Sequence, residues 1–110
     1  MAKIDVATIF KSIEAQAKLL AQKLFKRYTQ QAVTDVKDFL EKSREDLQRW
    51  IGELAKGEID KQEFESLVHA QTDLAEMHAL KQAGLAAAQI DLFVNGFLDI
   101  VVSAAFEVIP

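Results

Sequence analysis

Apolar residues recur at steps of three and four throughout the first half of the chain. This spacing is typical of an amphipathic helix, because residues three or four apart share one face. Charged residues occupy the opposite face, which is therefore expected to meet water. Polar and β-branched residues at 29–31 weaken the pattern, and Thr34 could cap a new helix there. The first half predicts one helical arm over about residues 5–55, with a kink near residues 29–34 as an open alternative.

Several turn signals coincide near the midpoint of the chain, in residues 56–60 and just beyond. They involve Gly57, Ile59, Asp60, Glu63 and Phe64. Gly57 can take the left-handed conformation that ends a helix. Asp60 can cap the next helix, with Glu63 as its reciprocal partner in a capping box, and the apolar residues on either side of this cap are spaced as a hydrophobic staple. Residues 56–60 therefore predict the turn of a helical hairpin.

The second half predicts another helical arm, over about residues 61–108. Its first part repeats the amphipathic spacing. Gly84 interrupts it, but no good N-cap residue follows. The helix is therefore expected to pass through this glycine, at a cost of about 1 kcal/mol relative to alanine. The predicted fold class is all-α, with residues 1–110 forming a single domain built as a long antiparallel helical hairpin.

The C-terminal part of this arm is unusually apolar. From Leu85 onward, the exceptions are Gln89 and five polar residues spaced four apart, which are Asp91, Asn95, Asp99, Ser103 and Glu107. On a helix of 3.6 residues per turn, each step of four drifts by about 40°. The five residues therefore form one slanted polar ribbon. A helix that is apolar on its other sides must be buried on most of them, which a single partner arm cannot achieve.

A β-hairpin is the rival interpretation of this segment, because Asn95-Gly96 lies between two apolar runs. A two-residue turn there would place Asp91 opposite Ile100, so that charged and apolar side chains would share a face. Only a helix explains the polar ribbon. Residues 85–108 are therefore predicted to be helical.

Two hairpins could bury the apolar surface that one leaves exposed, by forming a four-helix bundle around a twofold axis. The predicted interface joins the open ends of the hairpins, residues 4–28 and 85–109. Its apolar members are Ile9, Phe10, Ile13, Leu20, Leu24, Phe93, Phe97, Ile100, Val101 and Phe106. The sequence thus predicts a non-enzymatic structural or protein-interaction module that forms a homo-oligomer, most simply a dimer, or pairs with another helical protein.

Charge is unevenly distributed along the chain, whose net charge is −4. Residues 1–28 carry six basic and two acidic side chains, whereas residues 85–110 carry three acidic side chains and no basic one. An antiparallel hairpin places these segments side by side. Exposed pairs between them would favour one alignment while contributing under about 1 kcal/mol each. The overall acidity and the single tyrosine beside the basic segment argue against nucleic acid as a partner.

The apolar C-terminal segment is too interrupted to predict a simple membrane span. Its longest uncharged runs, Leu92–Leu98 and Ile100–Phe106, have seven residues each, whereas a transmembrane helix needs about 20. The alternative function is a membrane-active or secreted helical hairpin whose apolar end inserts or assembles in a membrane. Charged residues also interrupt the N-terminus too early for a signal peptide, so the expected location is cytoplasmic.

Four potential metal ligands share one face of the second arm. They are Glu65, His69, Asp73 and Glu76. Such a face can hold a metal ion across a bundle, which makes a metal-binding helical bundle the weaker alternative. The Glu-x-x-His pairs of ferritin-like proteins are absent, however, and the segment is densely charged. These residues are therefore interpreted as a solvated face, and the sequence predicts no metal, cofactor or catalytic residue.

Trp50-Ile51-Gly52 resembles the Trp-x-Gly signature of small helical-hairpin secretion substrates. In that family the motif lies at the turn, whereas here the stronger turn signal comes five residues later. The family's C-terminal Tyr-x-x-x-acid export signal has no counterpart, because the only tyrosine is Tyr28. The resemblance covers three residues, and Trp50 is instead predicted to pack across the hairpin near its closed end.

Overall fold

The chain is all-α in the computed structural model, which describes residues 6–73 and 77–108 apart from the side chains of Thr72, Asp73 and Val108. The helices are α1 (Val6–Leu24), α2 (Thr29–Ala55), α3 (Lys61–Asp73), α4 (His78–Gln82) and α5 (Ala87–Val108), and a 3₁₀ turn, Lys26–Tyr28, joins α1 to α2. The molecule measures 45 × 22 × 20 Å. Uninterrupted arms of some 50 residues would approach about 75 Å. The prediction of two continuous arms is therefore wrong, since each arm folds back on itself.

The first arm is divided at Phe25, four residues before the predicted kink. Phe25 leaves the helical region with φ −156° and ψ 87°. Its ring is buried against Phe93, at 5.5 Å between centroids, and lies 6.4 Å from Tyr28. Thr34 caps no helix, because its hydroxyl donates to the carbonyl oxygen of Gln30 at 3.0 Å within α2. Burial of this one aromatic ring thus accompanies the reversal of the chain.

The turn at the midpoint begins with a glycine of positive φ. Gly57 has φ +77°, and its N–H donates to the carbonyl oxygen of Leu54 at 3.1 Å. The N–H of Glu58 donates to the carbonyl oxygen of Glu53 at 2.9 Å. These two bonds form a Schellman motif, which satisfies the last carbonyl groups of α2.

A capping box then starts α3. The N–H of Glu63 donates to Oδ1 of Asp60 at 2.8 Å, and the N–H of Asp60 donates to Oε1 of Glu63 at 3.3 Å. Both bonds are those that the sequence predicts. Phe64 is fully buried, and the half-buried Ile59 packs against the core. The chain therefore enters α3 with its first amides satisfied and its first apolar residue anchored.

Helix α2 runs antiparallel to α3 and α4 about this turn. Gln71 donates to Ser43 across 28 residues of sequence, and the N–H of Ala79 donates to Asp35 across 44 residues. Gly57 is the midpoint of both pairs. Residues between Asp35 and Ala79 therefore pair as a hairpin about the predicted turn.

The second arm is divided at Gly84, where a continuous helix was expected. Gly84 has φ +90°, its N–H donates to the carbonyl oxygen of Lys81 at 3.0 Å, and the N–H of Leu85 donates to that of Leu80 at 3.2 Å. This is a second Schellman motif. Leu80 and Leu85 are both buried on either side of the glycine. The Schellman motif and the burial of these two leucines therefore end α4 at Gly84. The absence of a good N-cap residue after the glycine did not prevent this break.

Helix α5 closes the fold by packing antiparallel to both α1 and α3. Towards α1, Gly96 lies against Leu20. Towards α3, the rings of Phe64 and Phe106 are 6.1 Å apart. In the centre, Phe97 meets Phe39 of α2 edge-on at 5.2 Å. One chain thus surrounds a single core and covers much of the apolar surface of α5.

Candidate interaction site

The predicted interface residues divide into two groups. Five are buried by their own chain, namely Ile9, Ile13, Phe93, Phe97 and Val101. The other five are partly buried, namely Phe10, Leu20, Leu24, Ile100 and Phe106. Residues 4, 5 and 109 of the predicted ranges lie outside the described residues. The first group forms the core of one chain, so only the second group offers surface to a partner while the chain stays folded.

Helices α1 and α5 approach closely at Gly96. A Cβ atom added to this glycine would lie 2.7 Å from Cδ2 of Leu20, which is well inside van der Waals contact. A side chain at position 96 would require the end of Leu20 to move. Leu20 and Gly96 therefore fix the level at which the two helices meet.

The two most exposed large apolar side chains of the described residues lie beside this contact. Leu19 is 64% exposed and Leu92 is 57% exposed. Leu19 lines an open groove between α1 and α5 together with Leu20 and Ile100. Leu92 lies one turn before Gly96, on the same side of α5. We call this surface the α1–α5 face and define it by Leu19, Leu20, Lys23, Leu92, Gly96 and Ile100.

The polar ribbon lies on the outer surface of α5. The segment is helical, as predicted, and the β-hairpin interpretation is wrong. All five ribbon residues, Asp91, Asn95, Asp99, Ser103 and Glu107, are exposed. The ribbon therefore meets water in one copy of the chain and leaves three carboxylates on α5 available to a partner.

The basic residues of the described N-terminal segment, residues 6–28, are exposed as well. They are Lys11, Lys18, Lys23, Lys26 and Arg27. The ion pairs of the described residues all lie within α2, and none joins α1 to α5. The two helices lie side by side as the charge distribution suggests, but no described side chain of α1 forms an ion pair with α5. Both sets of charges remain on the surface.

The four potential metal ligands are only partly described. Glu65 is half-buried and His69 is exposed one turn later on α3, and both line an open groove with Leu98 of α5. The side chain of Asp73 and the whole of Glu76 lie outside the described residues. Within residues 6–73 and 77–108, no group of three or more His, Asp or Glu side chains has the geometry to hold a metal ion.

Sequence reasoning missed Asp35, whose carboxylate anchors α4 to α2. Asp35 is only 7% exposed, and its two oxygens accept the N–H groups of Ala79 and Leu80, each at 2.9 Å. These amides belong to the first turn of α4, where a helix lacks internal acceptors. The preceding Met77 has a left-handed backbone, with φ 48° and ψ 51°, and is buried. The carboxylate thus holds a short helix that follows a strained residue.

Ser43 was missed in the same way. It is buried, and its hydroxyl accepts a hydrogen bond from Nε2 of Gln71 at 3.0 Å. Asp35 and Ser43 both fall within the apolar stripe of α2, three residues from an apolar neighbour in each case. A polar residue on a buried stripe needs a hydrogen-bond partner. The two polar residues on an apolar stripe were thus the feature of the sequence from which buried hydrogen bonds could have been predicted.

The Trp-x-Gly motif does not lie at a turn in this chain. Trp50 is buried in α2, and Gly52 belongs to the same helix.

No protein-family model matches the chain, and neither a curated protein nor a solved structure matches it. Ala87–Glu107 is long and apolar enough, by length and composition, to cross a membrane. The core helices of soluble proteins also meet this criterion, and α5 contributes Phe93 and Phe97 to the core.

Proposed function

We propose that this chain is a non-enzymatic protein-interaction module that self-associates through the α1–α5 face. The observation that carries the proposal is the exposure of Leu19 and Leu92, the two largely exposed large apolar side chains of the described residues, on the neighbouring helices α1 and α5. The same two helices also present Leu20 and Ile100, which are only partly buried. Grouped exposed apolar residues with a polar rim are typical of protein–protein interaction sites, whereas single ones are common on any surface.

The dimensions of the molecule support this proposal. It measures 45 × 22 × 20 Å, so one long face approaches the roughly 800 Å² that each partner buries in a standard interface. The face consists of two helices held together by the Leu20–Gly96 contact. A surface that is already ordered loses little conformational entropy on binding. The extent of the molecule and this ordered contact thus support the proposal of a dimer interface on this side.

The proposed surface differs from the interface predicted from the sequence. It keeps Leu20 and Ile100 and adds Leu19 and Leu92, which lie within the predicted ranges but were not named among their apolar members. It leaves the buried aromatic residues of α5 in the core of each chain. Self-association then needs no opening of the fold, and it adds an external contact to a core that is already formed.

Light scattering coupled to size-exclusion chromatography tests the proposal. We expect the parent to be a dimer at tens of micromolar, and Leu19→Glu and Leu92→Glu each to weaken it at least about tenfold, because each loses the burial of a leucine twice in a symmetric dimer. Gln48→Glu, on an exposed position of α2, is the matched control and should leave the dimer unchanged. A folded, monomeric parent would contradict the proposal, as would a dimer that tolerates both leucine variants.

Membrane association is the second candidate, favoured by the length and composition of α5. Insertion would remove Phe93 and Phe97 from the core and carry Asp91 and Asp99 into lipid, where each aspartate costs about 2.5–3.5 kcal/mol at the bilayer centre. Vesicle flotation separates the two functions. Flotation of the folded parent with neutral vesicles would favour membrane association. A dimer that stays in the soluble fraction would favour self-association through the α1–α5 face.

A further inference from the structure

We infer that one end of the molecule binds the surface of an anionic membrane, with the long axis of the folded chain pointing away from the bilayer. This binding goes beyond the proposed function and does not depend on self-association. The observation behind it is that the topology brings four basic residues to the same end of the molecule. We call this surface the basic end and define it by Lys23, Lys26, Arg27 and Lys81.

The connections between the helices place these residues at one end. Helix α1 ends and α2 begins there, joined by the 3₁₀ turn Lys26–Tyr28. Helix α4 is antiparallel to α2 and its first turn binds Asp35, so α4 ends, with Lys81, near the start of α2. Helix α5 begins at the same end, because it is antiparallel to α1 and meets Leu20 at Gly96.

The basic end carries little negative charge. Residues 22–31 and 81–92, which form it, carry four basic side chains and one acidic side chain, Asp91. The four basic side chains are exposed, and none of them joins an ion pair among the described residues. At the opposite end, residues 51–66 and 103–108 carry six acidic and two basic side chains. The chain is thus acidic as a whole but presents a cationic surface at one end.

The acidic end does not oppose this contact. The molecule is 45 Å long, whereas the Debye length at physiological ionic strength is about 8 Å. When the basic end touches the bilayer, the far end is therefore screened from the lipid charges. Each Lys or Arg near the lipid strengthens binding about fivefold, and clusters of about four or more are typical of proteins that bind anionic lipids. The expected binding is reversible and sensitive to salt.

The dimensions of the basic end favour lipid over another protein. The molecule is 22 × 20 Å across, which is roughly half of the 800 Å² that each partner buries in a standard protein interface. A fluid bilayer needs no complementary shape, so a small charged surface is sufficient. The head-to-tail contact of one copy's basic end with another's acidic end would be limited to the same small area.

The side chains around the basic residues also suit lipid better than nucleic acid. The three alanines at 86–88 are exposed, as is Leu92, and apolar side chains beside lysines fit the headgroup boundary. Sites for single-stranded nucleic acid instead stack bases on exposed aromatic rings. The aromatic residues of this end are Phe25, which is buried, and Tyr28, which packs against the core.

Vesicle flotation tests the inference. The parent should float at low salt with vesicles of phosphatidylserine and phosphatidylcholine, and it should stay in the soluble fraction with pure phosphatidylcholine. At about 1 M salt the Debye length falls to about 3 Å, so the anionic vesicles should release the protein. A variant with Lys26→Glu, Arg27→Glu and Lys81→Glu should bind the anionic vesicles at least about tenfold more weakly. These three residues lie outside the α1–α5 face, so the variant can still dimerise.

The matched control carries Lys11→Glu, Lys37→Glu and Arg44→Glu. These residues are exposed along α1 and α2, away from the basic end, and the change in net charge is the same. The control should keep most of the binding, because its altered charges lie farther from the lipid. Circular dichroism of both variants checks that loss of binding is not loss of the fold.

Several results would overturn this inference. They are a parent that does not float with anionic vesicles at low salt, a parent that floats equally with neutral ones, and a control variant that loses as much binding as the basic-end variant. Tighter binding of a single-stranded oligonucleotide than of anionic vesicles, at the same salt and lost in the basic-end variant, would replace lipid with nucleic acid. Light scattering of Leu19→Glu and Leu92→Glu bears only on the proposed function, so either proposal can fail while the other stands.

Discussion

Asp35 of α2 accepts the backbone N–H of Leu80 at 2.9 Å, across 45 residues of sequence. The same carboxylate accepts the N–H of Ala79. A side chain on one helix thereby caps another helix that has only five residues, His78–Gln82. Such a short helix has little stability of its own. Its position therefore depends on this carboxylate and on the burial of Leu80.

Replacing Asp35 should expose that dependence. Asp35→Ala leaves two amides without an acceptor in a largely buried site and should lower the free energy of unfolding by about 2–3 kcal/mol. Asp35→Asn keeps one acceptor oxygen and should cost less. Asp38→Ala, on an exposed position of the same helix, is the control and should stay within about 0.5 kcal/mol of the parent. Urea denaturation measures all three, and equal stability of the Asp35 and Asp38 alanine variants would contradict the capping role.

The Leu20–Gly96 contact predicts a coupled pair of substitutions. Gly96→Ala should change the stability of the parent little, because the gain in helix propensity is offset by the shift that the new Cβ, 2.7 Å from Cδ2 of Leu20, imposes on that side chain. In a Leu20→Ala background the clash is absent, so the same substitution should stabilise by up to about 1 kcal/mol through helix propensity. A double-mutant cycle by urea denaturation measures the coupling. Additive effects would show that the two helices do not meet at this glycine.

Gly84 and Gly52 differ in backbone conformation, so replacing each with alanine should change stability in opposite directions. Gly84→Ala should destabilise by about 1 kcal/mol, because φ is +90° there and residues with a Cβ avoid that region. Gly52→Ala should stabilise by up to about 1 kcal/mol, because Gly52 lies within α2 and an added Cβ meets no atom within 4 Å. Thermal unfolding compares the two variants. A continuous helix through Gly84 would instead make both substitutions stabilising.

Phe97 and Asp99 distinguish core from surface on α5. Phe97→Asp should unfold the chain, because it places a charge at a fully buried position and costs several kcal/mol of a total stability of about 5–15 kcal/mol. Asp99→Asn, on the exposed ribbon, should leave the free energy of unfolding within about 0.5 kcal/mol of the parent. Circular dichroism measures the helix content and the stability of both variants. A Phe97→Asp variant that remains folded but becomes monomeric would place this ring in the interface, as the sequence pattern suggested.

The sequence predicts well those features that are decided by nearby residues. The capping box of Asp60 and Glu63, the left-handed Gly57 and the ribbon on a helical α5 all depend on residues within a few turns of one another. The reversal at Phe25 does not. Apolar spacing continues through this region, and the chain turns only where Phe25 can pack on Phe93, a residue far along the sequence. A local pattern carries no information on that contact.

The candidate site was predicted only in part for a related reason. The apolar excess at the open end was recognised, but its division between core and surface depends on how the arms fold back. Folding α1 onto α2 and α5 buries Phe93 and Phe97. Leu19 lies off the apolar stripe of α1 and stays exposed. Such an off-stripe leucine is visible in the sequence, whereas Leu92 of α5 becomes significant only when Gly96, one turn away, is known to face α1.

The two polar pairs between α2 and its antiparallel partners also determine how those helices can slide. Apolar helix faces tolerate a shift of one turn, about 5.4 Å, because leucines and alanines pack in many alignments. A shift of that size would separate Ser43 from Gln71 and Asp35 from the amides of α4 at once. It would leave a carboxylate and two backbone donors without partners inside the protein, which is far less tolerable than a repacked leucine. Asp35 and Ser43, at two different levels of α2, thus act as two separate stops against such a shift of α2 along its antiparallel partners.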